Sequence, residues 1–537
     1  MLRSLRLTAL SLAVVASGCG PGGAPAADPA PTLIVALPVD QLRSDLLERY
    51  DTLFTGGLRR LLDEGLVHPN STHDHANNFT AVGHTTLATG VHPTRHEVVG
   101  NEWHIATPEG EWRSVYAVED PDSPILGHPD YPGRSPVNIA RPGLADWVLA
   151  QDPEARVAAI SGKDRGSIPM MAQARGEVYW LLAEQGEIVT TTWYHDALPE
   201  WVAAFNEERM PELYGDTLWE SIVPPGAEAL TLPDSAPWEG FRGGRFATFP
   251  HLASAEATGL DDRRLQYNRW RQNTPFQSKA IFAFAEELIE RFELGQRGPV
   301  DYLVVGMSQV DYVGHMYGPL SVEQLDNLLR LDRELGAFLD FLDATVGEGR
   351  WVMGVSADHG VADVPEALDR PDAARLRLTS EDRARLDAVA DAAAEAAHDL
   401  EPRERAERVA AALEATPEIV RAISLHRLQE GPTGDSLLDL YRNSMSTERR
   451  TSRYRDYDVV VYYEEGMLAN RGYGTTHGTP WLYDRAVPLI FLGADVEPGR
   501  SDERVATVDF APTLAALAGI EVPDDLDGRA VIGRPPR

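Results

Sequence analysis

Six residues in this chain have the types and spacing needed to hold divalent metal ions. Asp311 and His315 are four apart, so on one turn of helix they face the same way. Asp358 and His359 are adjacent in Ser356-Ala357-Asp358-His359-Gly360. His477 sits in Gly474-Thr475-Thr476-His477-Gly478-Thr479, where flanking glycines let backbone come close. Asp40 completes a set of three carboxylates and three imidazoles, the number needed by two three-ligand sites with an open position each. Asp and His suit zinc and similar divalent ions, and with Cys19 the only cysteine a thiolate site is excluded from the body of the chain. Thr80, in Asn77-Asn78-Phe79-Thr80-Ala81-Val82-Gly83-His84, stands just before a helix-like run, Thr85 to Thr89. It reads either as a helix cap or as a hydroxyl held on a metal, where its acidity would rise. His73 and His75 form a further His-x-His pair nearby, read as structural because six better-spaced ligands exist.

Short apolar runs supply the elements that would position these groups. Leu33 to Leu37, Val157 to Ile160, Tyr302 to Gly306, Trp351 to Val355 and Val487 to Leu492 read as buried parallel strands. Helical stretches such as Ser278 to Phe292 and Val322 to Val346 lie between them. The alternation predicts an α/β fold, a mostly parallel central sheet with helices on both faces. Asp40, Lys163 with Arg165, Asp311 with His315, and Asp358 with His359 each follow a strand. In such sheets the site lies beyond the carboxyl ends of the strands. Residues 165–275, rich in Trp, Pro and Gly, and residues 370–425, rich in Ala, Arg and Glu, break the alternation and read as insertions that cap the site.

The net charge of −34 repels nucleic acid and anionic lipid, and would repel a phosphate ester too unless a local positive site offset it. Lys163 and Lys279 are the only lysines among 49 basic residues. At the start, Arg3 and Arg6, the apolar run Leu7 to Val15 and Ala16-Ser17-Gly18-Cys19 form a short export signal. The last four residues resemble a bacterial lipobox. Residues 1–19 are therefore expected to be a lipoprotein signal peptide and 20–31 a flexible tether. Residues 32–537 form the body of the protein. The expected location is outside the cytoplasm, at a membrane only through lipidated Cys19, with outer-membrane sorting fitting Gly20. No later segment is long and apolar enough to span a membrane.

Taken in order, several segments carry a resemblance. They are Val39-Asp40-Gln41-Leu42-Arg43, Asn78 to His84, Gly100-Asn101-Glu102-Trp103, Ser161 to Gly166, Asp311 to His315, Ala357 to Gly360 and Thr476 to Thr479. The set resembles the alkaline phosphatase superfamily. Within it, the chain looks most like the phosphate-irrepressible bacterial alkaline phosphatases with a threonine nucleophile, relatives of the nucleotide pyrophosphatase/phosphodiesterases. Asp509 to Leu514 is similar to that family's closing helix. Val82 departs from the family, where proline is common, and removes no ligand.

The resemblance implies two zinc ions. Asp40, Thr80, Asp358 and His359 would hold one, and Asp311, His315 and His477 the other. Asn101, Lys163 and Arg165 would grip the phosphoryl oxygens of a small phosphate monoester. Thr80 would be the nucleophile and pass through a phosphothreonine. Two cations reward a monoester dianion, whereas a diester carries one charge and a second organic group that would crowd them. Phosphodiester or nucleotide pyrophosphate hydrolysis is the nearest alternative, and a non-catalytic lipoprotein that binds metal or phosphate is a further one. The formylglycine motif of sulfatases and the membrane helices of phosphoethanolamine transferases are both missing.

Overall fold

Along the strand Leu33–Pro38 the side chains alternate between two cores. Leu33, Val35 and Leu37 pack into one, and Ile34 and Ala36 into the other. A strand buried on both faces needs helices above and below the sheet, and the computed structural model, which describes residues 30–239, 247–469 and 472–533, has them. Gln277–Arg291 and Val322–Leu342 cover one face through Ile281, Leu288, Leu328 and Leu335. Thr80–Thr89, Leu144–Gln151 and Phe510–Ala518 cover the other through Leu87, Leu144 and Leu514. The expected export signal, with Cys19, and nearly all of the expected tether lie outside the described residues.

Among the described residues the central sheet has ten strands. Its middle runs Trp351–Ser356, Leu33–Pro38, Asp301–Gly306, Val157–Ser161 and Glu177–Leu182, all parallel. Pro38 pairs with Ser356, Gly306 with Ser161, and Val39 bridges to Met307. The carboxyl ends of four strands therefore stop at one level, and the residues that follow them meet at one edge.

Two features depart from the sequence reading. The run Val487 to Leu492 lies in a strand, Ala486–Gly493, that is antiparallel to Trp351–Ser356. An apolar run reports burial and not direction. A further strand, Leu66–Thr72, pairs with Ala486–Gly493 and was not anticipated, because Pro69 and Asn70 break its apolar pattern.

Between the strands Trp351–Ser356 and Ala486–Gly493 the chain builds a smaller layer. Helices Ser380–Ala396 and Pro402–Glu414 pack on the antiparallel pair Ile419–Ser424 and Val459–Tyr463, around Leu386, Val409, Leu413 and Val459. Among the described residues no helix is long and apolar enough to cross a membrane.

Candidate active site

Asp40, Asp358 and His359 leave the ends of neighbouring strands and are fully buried. Asp311 and His315 lie on one face of the helix Gln309–Tyr317, with His315 Nε2 3.1 Å from Asp311 Oδ1. His477 reaches the same carboxylate oxygen at 3.7 Å. Ligand atoms of Asp311, His315 and His477 fall within 4.8 Å of one another, and so do those of Asp40, His84 and Asp358. His359 joins the second group, its Nε2 3.2 Å from Asp358 Oδ2 and 3.5 Å from Thr80 Oγ1. The His359 and His477 rings stack with centroids 3.4 Å apart, so the two groups are in contact.

Thr80 is the first residue of the helix Thr80–Thr89, and Phe79 occupies the cap position. The capping reading is thus corrected: the Thr80 hydroxyl makes no cap bond and faces the ligand groups. Gly83 permits this placement. A Cβ there would stand 2.0 Å from the carbonyl oxygen of Asp358, so the helix and the Asp358 loop touch backbone to backbone.

The loop carrying His477 approaches equally closely. Gly474 and Gly478 have φ of +60° and +110°, and a Cβ on Gly474 would meet the His315 carbonyl oxygen at 2.0 Å. The Nδ1 atoms of His315, His359 and His477 pair with the backbone carbonyls of Thr475, Gly360 and Asn78 at 2.8, 2.9 and 2.7 Å. Each ring's Nε2 lies within 3.1–3.7 Å of the Asp311 or Asp358 carboxylate, an arrangement that suits metal-ligating imidazoles.

Lys163 and Arg165 follow the strand Val157–Ser161. The Lys163 ammonium contacts Asp311 Oδ2 at 2.6 Å and Asp40 Oδ2 at 2.9 Å, and lies 4.6 Å from the centre of the Tyr312 ring. Arg165 donates to the Tyr116 hydroxyl at 3.3 Å, while its buried Nε has no partner. Asn101 accepts from the Ala81 N–H at 2.9 Å, which leaves its amide NH2 to donate. The hairpin of Glu102–Ala106 and Trp112–Tyr116 ties Asn101 to Tyr116, and Tyr116 in turn donates to Asp164 at 2.7 Å.

Electrostatics follow from this crowding. Burial alone would raise the Asp40 carboxyl, but Lys163 and His84 outweigh it and hold it well below the usual range. Burial would lower His359, but the Asp358 carboxylate raises it to about 9. His477 is held well below 6.5 by burial and by the His359 and His315 charges.

Three contributors escaped the sequence reading. His84, buried four residues after Thr80, lies with Nε2 3.2 Å from Asp40 and Nδ1 2.8 Å from the Thr80 carbonyl oxygen. Its i, i+4 spacing from Thr80 was a usable signal. Gln41, at φ +66°, gives its backbone N–H to Asp358 and its side-chain amide to Asp311 at 2.6 Å. Asp484 accepts from both the N–H and hydroxyl of Thr479, pinning the His477 loop. The His73 and His75 pair is buried; His73 bonds the Ala357 carbonyl and the Thr507 hydroxyl, and burial lowers it to about 4.

The type I phosphodiesterase / nucleotide pyrophosphatase family model matches residues 34–485. Alkaline phosphatase PhoV of Synechococcus elongatus is 29% identical over 525 residues, 93% of this chain and 92% of that protein. Alkaline phosphatase PafA of Elizabethkingia meningoseptica is 30% identical over 535 residues, 94% of this chain and 95% of that protein. A crystal structure of PafA superposes with a TM-score of 0.83 at 28% identity, covering 94% of this chain and 99% of that one. Fold and relatives together define a hydrolase of the alkaline phosphatase superfamily. The chain belongs to the type I phosphodiesterase / nucleotide pyrophosphatase family, and within it to the PafA-like phosphatases.

Proposed function

We propose that this phosphatase hydrolyses phosphate monoesters with Thr80 as nucleophile, at a site for two divalent ions for which zinc is the best match. The observation that carries the reading is the meeting of two ligand groups beside one hydroxyl at the start of a helix. The residues fit such ions. Asp40, Asp311 and Asp358 bring three buried carboxylates together, and the Lys163 ammonium contacts two of them, at 2.9 and 2.6 Å, so further cations would offset the charge that one lysine leaves. Oxygen and imidazole donors without sulfur match zinc at a catalytic site.

Asp311, His315 and His477 would hold one ion, and Asp40, Asp358, His359 and the Thr80 hydroxyl the other. When bound, the ions supply acidity to the hydroxyl and to water, and charge stabilisation to the entering and leaving oxygens. Thr80 Oγ1 attacks phosphorus in line with the leaving oxygen, forming a phosphothreonine that water then hydrolyses. The start of the Thr80–Thr89 helix favours the negative charge that gathers there. Lys163, Arg165 and the Asn101 amide donate to the equatorial phosphoryl oxygens. Two cations side by side favour a dianion, hence a monoester. The export signal puts this chemistry outside the cytoplasm in the same proposal.

The family description favours a second reading, diester hydrolysis at the same site. The deciding experiment runs an aryl monoester and an aryl diester side by side, with metal removal and Thr80→Ala as controls. Monoester turnover should dominate and vanish in both controls. Turnover that survives chelation and Thr80→Ala together would refute the mechanism.

A further inference from the structure

Next to the ligand groups lies a cavity of about 470 Å³ that the chemistry above leaves unused. Phe79, Thr476, His477 and Gly478 line one wall, so the cavity adjoins the residue before Thr80 and one histidine of the site. Phe79 immediately precedes Thr80, and its ring stands edge-on to His477 at 6.0 Å. The outer wall comes from the smaller layer, with Arg455, Tyr463 and Trp481. Trp481 donates its indole N–H to the Tyr463 carbonyl at 3.1 Å, which fixes the ring in place.

Three arginines line this cavity, and they are not equivalent. Arg383 spends its guanidinium on the carbonyls of Leu378 and Ala469 and on Ser380. Arg453 is paired through two nitrogens with Asp387. Arg455, half-buried, has no carboxylate or carbonyl acceptor for its side chain among the described residues, and its Nε is buried without a partner. The chain carries 83 acidic side chains, so a guanidinium left without one inside a cavity is an available anion site. The cavity shares a wall with His477, which belongs to the ligand group that does not include Thr80, and it offers the fixed aromatic surface of Trp481.

We propose that this cavity is a leaving-group subsite, and that Arg455 selects phosphate monoesters whose alcohol portion carries a second anionic group. The inference rests on the monoesterase reading above. An aromatic portion of the leaving group packs against Trp481 and Tyr463, while its anion takes the Arg455 guanidinium. A carboxylate and a second phosphate share the chemistry that Arg455 recognises.

The test measures kcat/KM for phenyl phosphate, 4-carboxyphenyl phosphate and ADP, using the full chain, Arg455→Ala and Arg455→Lys. Arg455→Ala should lower kcat/KM by about 10- to 100-fold for the anionic leaving groups, as expected for lost charge-assisted bonds. Phenyl phosphate should change by less than about twofold, and Arg455→Lys should recover part of the loss. A drop for only one anionic substrate supports the subsite and identifies carboxylate or phosphate as its ligand. Equal rates for all three substrates in Arg455→Ala and the unaltered protein, or an equal drop for all three, overturn the proposal. Failure of the underlying reading looks different: the unaltered protein would then turn over neither of the two aryl phosphates.

Discussion

The Lys163 ammonium lies 2.6 Å from Asp311 Oδ2 and is fully buried with it. Its other contact, Asp40 at 2.9 Å, belongs to the second ligand group, so one cation spans both. Burial would lower this lysine, but the two carboxylates raise it and keep it charged. Removing it takes a positive charge from the phosphoryl oxygens. Lys163→Ala should lower monoester kcat/KM by about 10²- to 10³-fold, the usual cost of one lost transition-state donor. Diester turnover, with one charge fewer to satisfy, should fall less. Equal losses on the two substrates would count against the monoester preference.

His84 acts through its neighbours. It is buried between Asp40 and Asp358, 3.2 and 3.5 Å away, and is anchored by the Thr80 carbonyl oxygen. It therefore sets the positions of two carboxylates and the first helical turn together. His84→Gln should weaken zinc binding by about 10- to 100-fold, the range for groups that orient metal ligands. Competition with a chromophoric chelator measures this directly. An unchanged affinity in a folded variant would remove His84 from the list of positioning residues.

How far the site could be read before the fold was known differs from residue to residue. Asp40, Asp358 and His359 were legible because each follows an apolar run, and parallel strands deliver such residues to one edge. Asp311 and His315 were legible from helical spacing alone. Thr80 was ambiguous, since a threonine before a helix looks the same as a cap or as the first helical residue. Gln41 and Asp484 gave no local sign. Their roles come from contacts across 270 residues in one case and across a turn beside His477 in the other. The strand Leu66–Thr72 was hidden by its polar composition, and the direction of Ala486–Gly493 by an apolar pattern that both orientations share.

Gly83 tests the backbone contact between helix and ligand loop. A methyl group there would stand 2.0 Å from the Asp358 carbonyl oxygen, and no side-chain rotation relieves a clash with backbone. Gly83→Ala should push the Thr80 helix away from Asp358. Stability should fall by about 1–3 kcal/mol or more, as for overpacking elsewhere, and turnover by up to about 10²-fold, as for a 1 Å misplacement. Thermal unfolding and steady-state kinetics on one preparation check both. Full activity with an undiminished Tm would mean that the contact is not needed.

Glu239 carries the last prediction, which concerns stability and not catalysis. Its side chain is fully buried, and neither carboxyl oxygen has a hydrogen-bond partner among the described residues. Burial, then the Glu323 and Asp234 charges, push it from the ordinary 4.5 up to about 9. Glu323 in turn contacts His251 at 3.2 Å, and that histidine is raised to about 9 against the effect of burial, chiefly by Glu256 and Glu323. The sign follows from linkage. Because the folded-state value lies above the unfolded one, the fold favours the protonated acid. That contribution is complete below about pH 4.5 and is lost as pH rises through about 9. Glu239→Gln keeps the shape and removes the titration. Its Tm, relative to the unaltered protein, should climb steadily between pH 5 and pH 9, as read by thermal unfolding at fixed ionic strength. A Tm difference that stays constant over that window would show that Glu239 does not titrate abnormally in the folded protein.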